Sequence, residues 1–238
     1  MDLAASRRRA SQLSGGVSSE PIRSLMLRVL EREKPSGSLL DFGAGTGELL
    51  ASLHALAAFD RLAGVDLFPR PASLPLEIDW HQQDLNDAVD AAGPFDTVVC
   101  SETIEHLENP RHVFRSLRRL LHPGGLLVLT MPNQESIRSY AGLIFAGHFT
   151  HFLDACYPAH ITALLRLDLT RLCAESGFTL PAFEFTNDGA DLRCPDFKPY
   201  DNGGGIKHVF SWCGGFSAAS ARQVEERSAR ASAPGYNW

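Results

Sequence analysis

Between residues 38 and 132 the chain alternates short apolar runs with segments of helical periodicity, and few folds accept that rhythm. "SLLDF", "RLAGVDL", "EIDWHQQDL", "FDTVVC" and "LLVLTMP" read as five short strands. Ile22, Leu25, Met26, Val29 and Leu30 recur at helical spacing, with Ser18 or Ser19 as cap, Pro21 in the first turn and Pro35 and Gly37 as a stop. "GELLASLHALAA" gives a second helix. Asn109 and Pro110 open a third, with Val113, Phe114, Leu117, Leu120 and Leu121 on one face. Strands that read as continuous apolar runs are covered on both faces by crossover helices. The pattern therefore predicts an α/β chain with a doubly wound, mostly parallel sheet. A last helix, "LDLTRLCAESGF", has Asp168 as candidate cap and Gly177 as candidate stop, and "AFEF" with "HVFSW" predicts closing strands around an excursion at 187 to 205.

A length of 238 residues suits one domain with a sizeable core. We expect a disordered arm over 1–17, the folded domain over 18–216 with an aromatic, His-rich cap insertion at about 134–165, and a flexible tail over 217–238. The net charge of −6 supplies no global field for nucleic acid or anionic membrane, and Arg7, Arg8 and Arg9 form one local basic patch. No apolar run approaches a membrane span, and no apolar segment follows the N-terminal arginines as a secretory leader requires. The five cysteines, Cys100, Cys156, Cys173, Cys194 and Cys213, are scattered without CxxC spacing. That disfavours a disulfide framework or thiolate zinc site and points to a reducing cytoplasm, with Cys100 and Cys173 as small core residues.

The stretch "LLDFGAGTGELL" places Gly43, Gly45 and Gly47 directly after the first strand, where an open α/β sheet binds its ligands. A nicotinamide fingerprint needs a final glycine where Glu48 stands, and a P-loop needs a lysine that is absent. Asp41 would repel a polyphosphate and attract a cation, which suits a sulfonium ligand bearing an ammonium group. Asp66, ending the second strand, would meet a ribose diol. After the third strand, Asp84 offers a carboxylate to an exocyclic amine, while Leu85 and Leu67 flank a purine. Ser101, at the end of the fourth strand, joins this set. Each residue also has an ordinary turn or strand-end role, but their order along successive strand ends indicates a nucleoside site.

Together with "GVDL", "QQDL", "FDTVVCSETIEHLENP" and "LHPGGLLVLTMPN", the glycine stretch resembles the class I S-adenosylmethionine-dependent methyltransferases over residues 37–180. Within the class the likeness is to the branch with ubiquinone-biosynthesis O-methyltransferases and bacterial natural-product and surface-sugar methyltransferases. The resemblance implies a seven-stranded Rossmann-like sheet with an antiparallel last strand, and S-adenosylmethionine as cofactor. It places the glycines under the methionine part, Asp66 at the ribose and Asp84 at adenine, with Asp41 acting through the loop or a water near the amino group.

In "SETIEH" the spacing of Glu102, Glu105 and His106 would bring them to one face of a helical turn. Three readings stand: Glu105 and His106 deprotonate a hydroxyl acceptor; Glu102, Glu105 and His106 hold a divalent cation with His148, His151 or His160 as a fourth ligand; or the cluster is structural. The resemblance adds that some quinone-pathway relatives use a divalent cation and that small-RNA 2′-O-methyltransferases bind one through a similar motif. Tyr140, Phe145, Phe149, Phe152 and Tyr157 would line an acceptor pocket, or else form a cap with an apolar underside. The reading is O-methylation of a small-molecule acceptor: a phenol, sugar or biosynthetic intermediate. N-methylation, RNA 2′-O-methylation with a metal, and a non-catalytic cofactor-binding protein are the alternatives.

Overall fold

Successive side chains of a strand point to opposite faces, and here both sets are apolar. Leu39, Val99 and Val128 pack on one side of the sheet with Ile22, Met26 and Val29. Leu40, Val98 and Leu127 pack on the other with Phe114, Leu117 and Leu172. The structure, a computed structural model, describes residues 3–185 and the backbone of residues 207–213.

The elements in chain order are α1 (Leu3–Ser14), α2 (Glu20–Glu33), β1 (Ser38–Phe42), α3 (Glu48–Ala55), β2 (Arg61–Asp66), β3 (Asp79–Gln82) and β4 (Phe95–Ser101). A 3₁₀ turn (Ile104–His106) leads to α4 (Pro110–Arg119), β5 (Leu121–Pro132) and α5 (Ile137–Ala146). A second 3₁₀ turn (Asp154–Cys156) precedes α6 (Arg166–Glu175), β6 (Ala182–Phe185) and β7 (Lys207–Cys213). The sheet order is β3-β2-β1-β4-β5-β7-β6. β1 to β5 are parallel, and β7 runs antiparallel to β5 and β6. Chain order reverses between β1 and β4, so the carboxyl ends of β1, β2 and β4 flank a crevice.

Asn109 caps its helix as expected, whereas Ser19 at the start of α2 makes no side-chain cap bond and Asp168, read as a cap, stands at the third position of α6 behind the N-cap Leu165. Asn109 Oδ1 accepts from the His112 amide at the start of α4, and Asp168 accepts from the Leu165 amide at the start of α6. Leu121 begins β5 rather than continuing the α4 face. Cys100 and Cys173 are buried core residues, as expected.

Two expectations need correction. Residues 3–14, read as part of a disordered arm, form α1, and Arg7 ties the helix to Glu108, distant in sequence by 101 residues. In the cap, Tyr140 and Phe145 are 44% and 87% exposed on α5, and neither lines the cavity at the glycine loop. The excursion at 187–205, Cys194 and the tail at 217–238 lie outside the described residues. Among the described residues, no helix is long and apolar enough to cross a membrane.

Candidate active site

The glycine loop is bare because the chain itself crosses it twice. Gly43 has φ +89°, and a Cβ there would lie 2.2 Å from Thr103 Oγ1. A Cβ on Gly45 would lie 2.1 Å from the Gly16 carbonyl oxygen, which accepts from the Thr46 amide at 3.1 Å. Gly47 takes a left-handed conformation as the N-cap of α3. The loop is thus clamped between the turn after β4 and the link from α1 to α2, and it floors a cavity of about 410 Å³. That volume is of the size that holds small ligands.

Asp41, Gly43, Gly45, Asp66, Leu67, Asp84, Leu85, Ser101, Glu105 and His106 all line this cavity, and of the sequence candidates for cofactor binding Gly47 alone stands behind it. Asp41 is 3% exposed and its Oδ1 has no hydrogen-bond partner among the described residues. Burial, with the Asp66 charge adding, pushes its carboxyl up to about 7. Asp66 is better satisfied: Oδ2 accepts from the Gly45 amide at 2.8 Å and Oδ1 from the Phe68 amide at 2.9 Å. Burial raises its pKa while those amides oppose the rise, and each oxygen keeps a lone pair for a hydroxyl donor. Asp84 is engaged on both oxygens, by Asn86 through Oδ1 and by Arg7 Nη1 at 3.1 Å through Oδ2. Ser101 Oγ sits between Ser18 Oγ at 2.9 Å and Thr130 Oγ1 at 3.0 Å.

The turn after β4 does not build the helical face expected of "ETIEH". Glu102 lies before the 3₁₀ turn at φ +49°, a backbone costing about 1–3 kcal/mol for a non-glycine residue. Its amide donates to the Thr130 carbonyl at 3.0 Å, and its Oε1 accepts from Thr130 Oγ1 at 3.3 Å. Glu105 is fully buried, and its carbonyl accepts from the Ile161 and Thr162 amides. His106 Nδ1 bonds the Ala159 carbonyl at 2.8 Å, and His160 Nδ1 bonds the His151 carbonyl at 2.7 Å. A carbonyl only accepts, so each Nδ1 carries the proton and the neutral ring has its lone pair on Nε2. Burial holds His106 below the usual imidazole range, against hydrogen bonds to the Ala159 and Glu102 backbone that favour the proton.

One ligand atom from each of Glu105, His106 and His160 falls within 4.8 Å of the others. Glu105, His106 and, of the three histidines considered as a further ligand, His160 therefore converge; Glu102 is not among them, because a three-residue turn is too short to bring position 102 round to its face. His151 and Tyr157 border the cavity, whereas His148, Phe149 and Phe152 do not. Sequence reasoning missed the segment from Ser6 to Ser18, which supplies much of the cavity wall. The signal lay in the acid-free, arginine-bearing face of a helix with no apolar stripe.

Comparison with known proteins gives a consistent picture. Residues 13–182 match a family described as "Methyltransferase domain". A ubiquinone biosynthesis O-methyltransferase from Xanthomonas axonopodis pv. citri is 30% identical over 58% of this chain, and the match spans 64% of that relative. Among solved structures, the N-methyltransferase NodS from Bradyrhizobium japonicum, in complex with S-adenosylhomocysteine, is similar at TM-score 0.53 and 19% identity, covering 81% of this chain and 85% of NodS. An S-adenosylmethionine-dependent methyltransferase from Archaeoglobus fulgidus is similar at TM-score 0.56 and 17% identity, covering 80% and 94%.

Proposed function

Because the chain belongs to the methyltransferase-domain family, among the class I S-adenosylmethionine-dependent methyltransferases, we propose that it methylates an oxygen of a small-molecule acceptor. The observation that carries this reading is the pairing, in one cavity, of an orphaned buried carboxylate with a neutral imidazole. Asp41 has an unpartnered oxygen where a cationic amino-acid group would satisfy it. Asp66 has lone pairs left for a ribose diol. These residues fit S-adenosylmethionine, which when bound supplies an electrophilic methyl group on a sulfonium. Leu67 and Leu85 would flank the purine, and Ser101 would border the methyl-donor end.

A hydroxyl acceptor must lose its proton as its oxygen gains carbon. His106 Nε2 accepts that proton, and the Ala159 carbonyl, by holding Nδ1–H, stabilises the imidazolium that forms. Oxygen rather than nitrogen methylation is favoured by this base, since a neutral amine needs none. It is favoured too by the likeness to the Xanthomonas O-methyltransferase, of which the match covers under two thirds. The enzyme rivals to it are N-methylation and RNA methylation, and the net charge of −6 weighs against RNA.

A second reading rests on the cluster of Glu105, His106 and His160. Two imidazoles locked by backbone carbonyls, with a carboxylate beside them, form a donor set for a divalent cation that would acidify the acceptor hydroxyl. Calorimetric titration of S-adenosylhomocysteine into metal-stripped protein, repeated with magnesium or zinc, tests the nucleoside site on which both readings depend. Micromolar binding without metal is the expected result. No binding in either condition would remove the nucleoside site. His106→Ala should leave that binding within twofold while cutting turnover by roughly 10²–10⁴-fold. If a chelator abolishes turnover and a divalent cation restores it, the cation reading replaces the general base.

A further inference from the structure

We propose that α1 is a movable wall of the nucleoside cavity, latched by Arg7, and that this latch sets how long the nucleoside stays bound. The inference rests on the reading of the cavity as an adenosyl site. Ser6, Arg7, Ala10, Ser11 and Ser14 form one face of α1, and all five line the cavity. None of α1 is buried, and its apolar residues Leu3 and Leu13 are 57% and 58% exposed. Apolar burial therefore does not fasten this helix. The ion pairs that tie it to the fold converge on one guanidinium.

Arg7 makes a two-pronged pair with Glu108, from Nε to Oε1 at 2.9 Å and from Nη2 to Oε2 at 2.8 Å. Its Nη1 reaches Asp84 at 3.1 Å and Asp87 at 3.4 Å. The three acids come from two loops, one after β3 and one before α4, so Arg7 spans the cavity rim. The Arg7 side chain is 17% exposed, which gives the contacts more weight than an open surface pair. Asp84 contributes to the latch and to the cavity wall at once, so a nucleoside contacting Asp84 lies directly under Arg7.

The other end of α1 has the form of a hinge. Gly15 and Gly16 both have positive φ, and the space beside Gly15 is open. The chain is then pinned again where Gly16 meets Thr46 and Ser18 meets Ser101. Rotation about Gly15 and Gly16 with Arg7 released would uncover the cavity without disturbing the sheet.

The test follows dissociation of S-adenosylhomocysteine by stopped-flow displacement in wild type, Arg7→Ala and Glu108→Gln, across a sodium chloride series. The two variants should release the ligand at least fivefold faster. Wild-type release should accelerate with salt, Arg7→Ala should be nearly salt-independent, and Glu108→Gln, which keeps the Arg7 pairs to Asp84 and Asp87, should show a reduced slope. Saturating ligand should also slow trypsin cleavage after the exposed Arg8 and Arg9 in wild type and protect them less in Arg7→Ala. Release rates below fivefold of wild type with an unchanged salt slope would overturn the latch. If Arg7→Ala fails to fold, Glu108→Gln tests the same contact from the opposite side. Failure of wild type to bind the ligand would instead overturn the nucleoside reading.

Discussion

Asp41 illustrates how one side chain at a strand end acquires a function from its surroundings. It follows Leu39 and Leu40 into the core, ends up 3% exposed, and is pushed to about 7 by burial and by the charge of Asp66. The unfolded chain would release this proton near 3.8. Between those two values the folded protein holds a proton that the unfolded chain has lost, so this group's contribution to stability declines as pH rises through about 7. A cationic ligand reverses the balance by favouring the carboxylate. Binding of S-adenosylmethionine at pH 6.5 should therefore release a fraction of a proton, and affinity should rise with pH until it levels above about 7. Titrations in two buffers of different ionisation heat would read that proton, and Asp41→Asn should abolish the buffer dependence. Equal proton release in Asp41→Asn would assign the effect elsewhere. At this scale the sequence was informative about placement wherever a residue sits at or near the end of a strand, as with Asp41, Asp66 and Ser101, which all reach the cavity. It was silent where the partner is remote. Nothing near Asp84 in the chain announces Arg7, and nothing near His106 announces the Ala159 carbonyl.

At the scale of elements, the site is a set of crossings rather than a set of residues. The loop after β1 lies under the 3₁₀ turn after β4, and Gly43 is where they touch. Gly43→Ala would incur both a positive-φ penalty and a clash with Thr103 Oγ1. We expect a loss of about 2–4 kcal/mol, which for a domain of this size lowers Tm by roughly 4–16 °C. Thr103→Ala combined with Gly43→Ala should recover part of that loss, since it removes the Oγ1 and Cγ2 contacts and leaves the 2.9 Å approach of the Thr103 Cβ and the backbone strain. Thermal denaturation of the three variants measures both terms, and a double variant no more stable than Gly43→Ala would show that the crossing is not tight. The strands and major helices were legible because two faces of continuous apolar character leave little choice. The 3₁₀ turn was not. The spacing of Glu102, Glu105 and His106 fits a helix equally well, and only the left-handed backbone at Glu102 and the ties from Glu105 to Ile161 and Thr162 decide its shape. α1 was misread for the opposite reason: it has no apolar stripe to reveal it, only ion pairs across the fold.

The whole molecule adds an electrostatic argument that no single element contains. The chain carries a net charge of −6, and its cavity is lined by Asp41, Glu48, Asp66, Asp84, Glu102, Glu105 and Glu108 against Arg7 and Arg23. Arg7 answers Asp84 and Glu108, and Arg23 answers Glu48 at 2.6 Å. Among the described residues Asp41 and Asp66 have no ion pair in that lining, so the cavity favours positive ligands. S-adenosylmethionine differs from S-adenosylhomocysteine by the methyl group and by one positive charge on sulfur. The protein should thus bind the methyl donor more tightly than the demethylated product at low salt, easing product release. Salt screens the surrounding field, with a Debye length of about 8 Å at physiological strength, while the buried contacts to ribose and adenine are common to both ligands. Raising sodium chloride from about 50 to 500 mM should reduce the ratio of the two affinities by roughly twofold to fivefold. Because release of α1 affects both ligands alike, its own salt dependence cancels in that ratio. Paired calorimetric titrations across the salt series would measure it, and a ratio that stays constant would mean that the acidic cavity does not discriminate the sulfonium by charge.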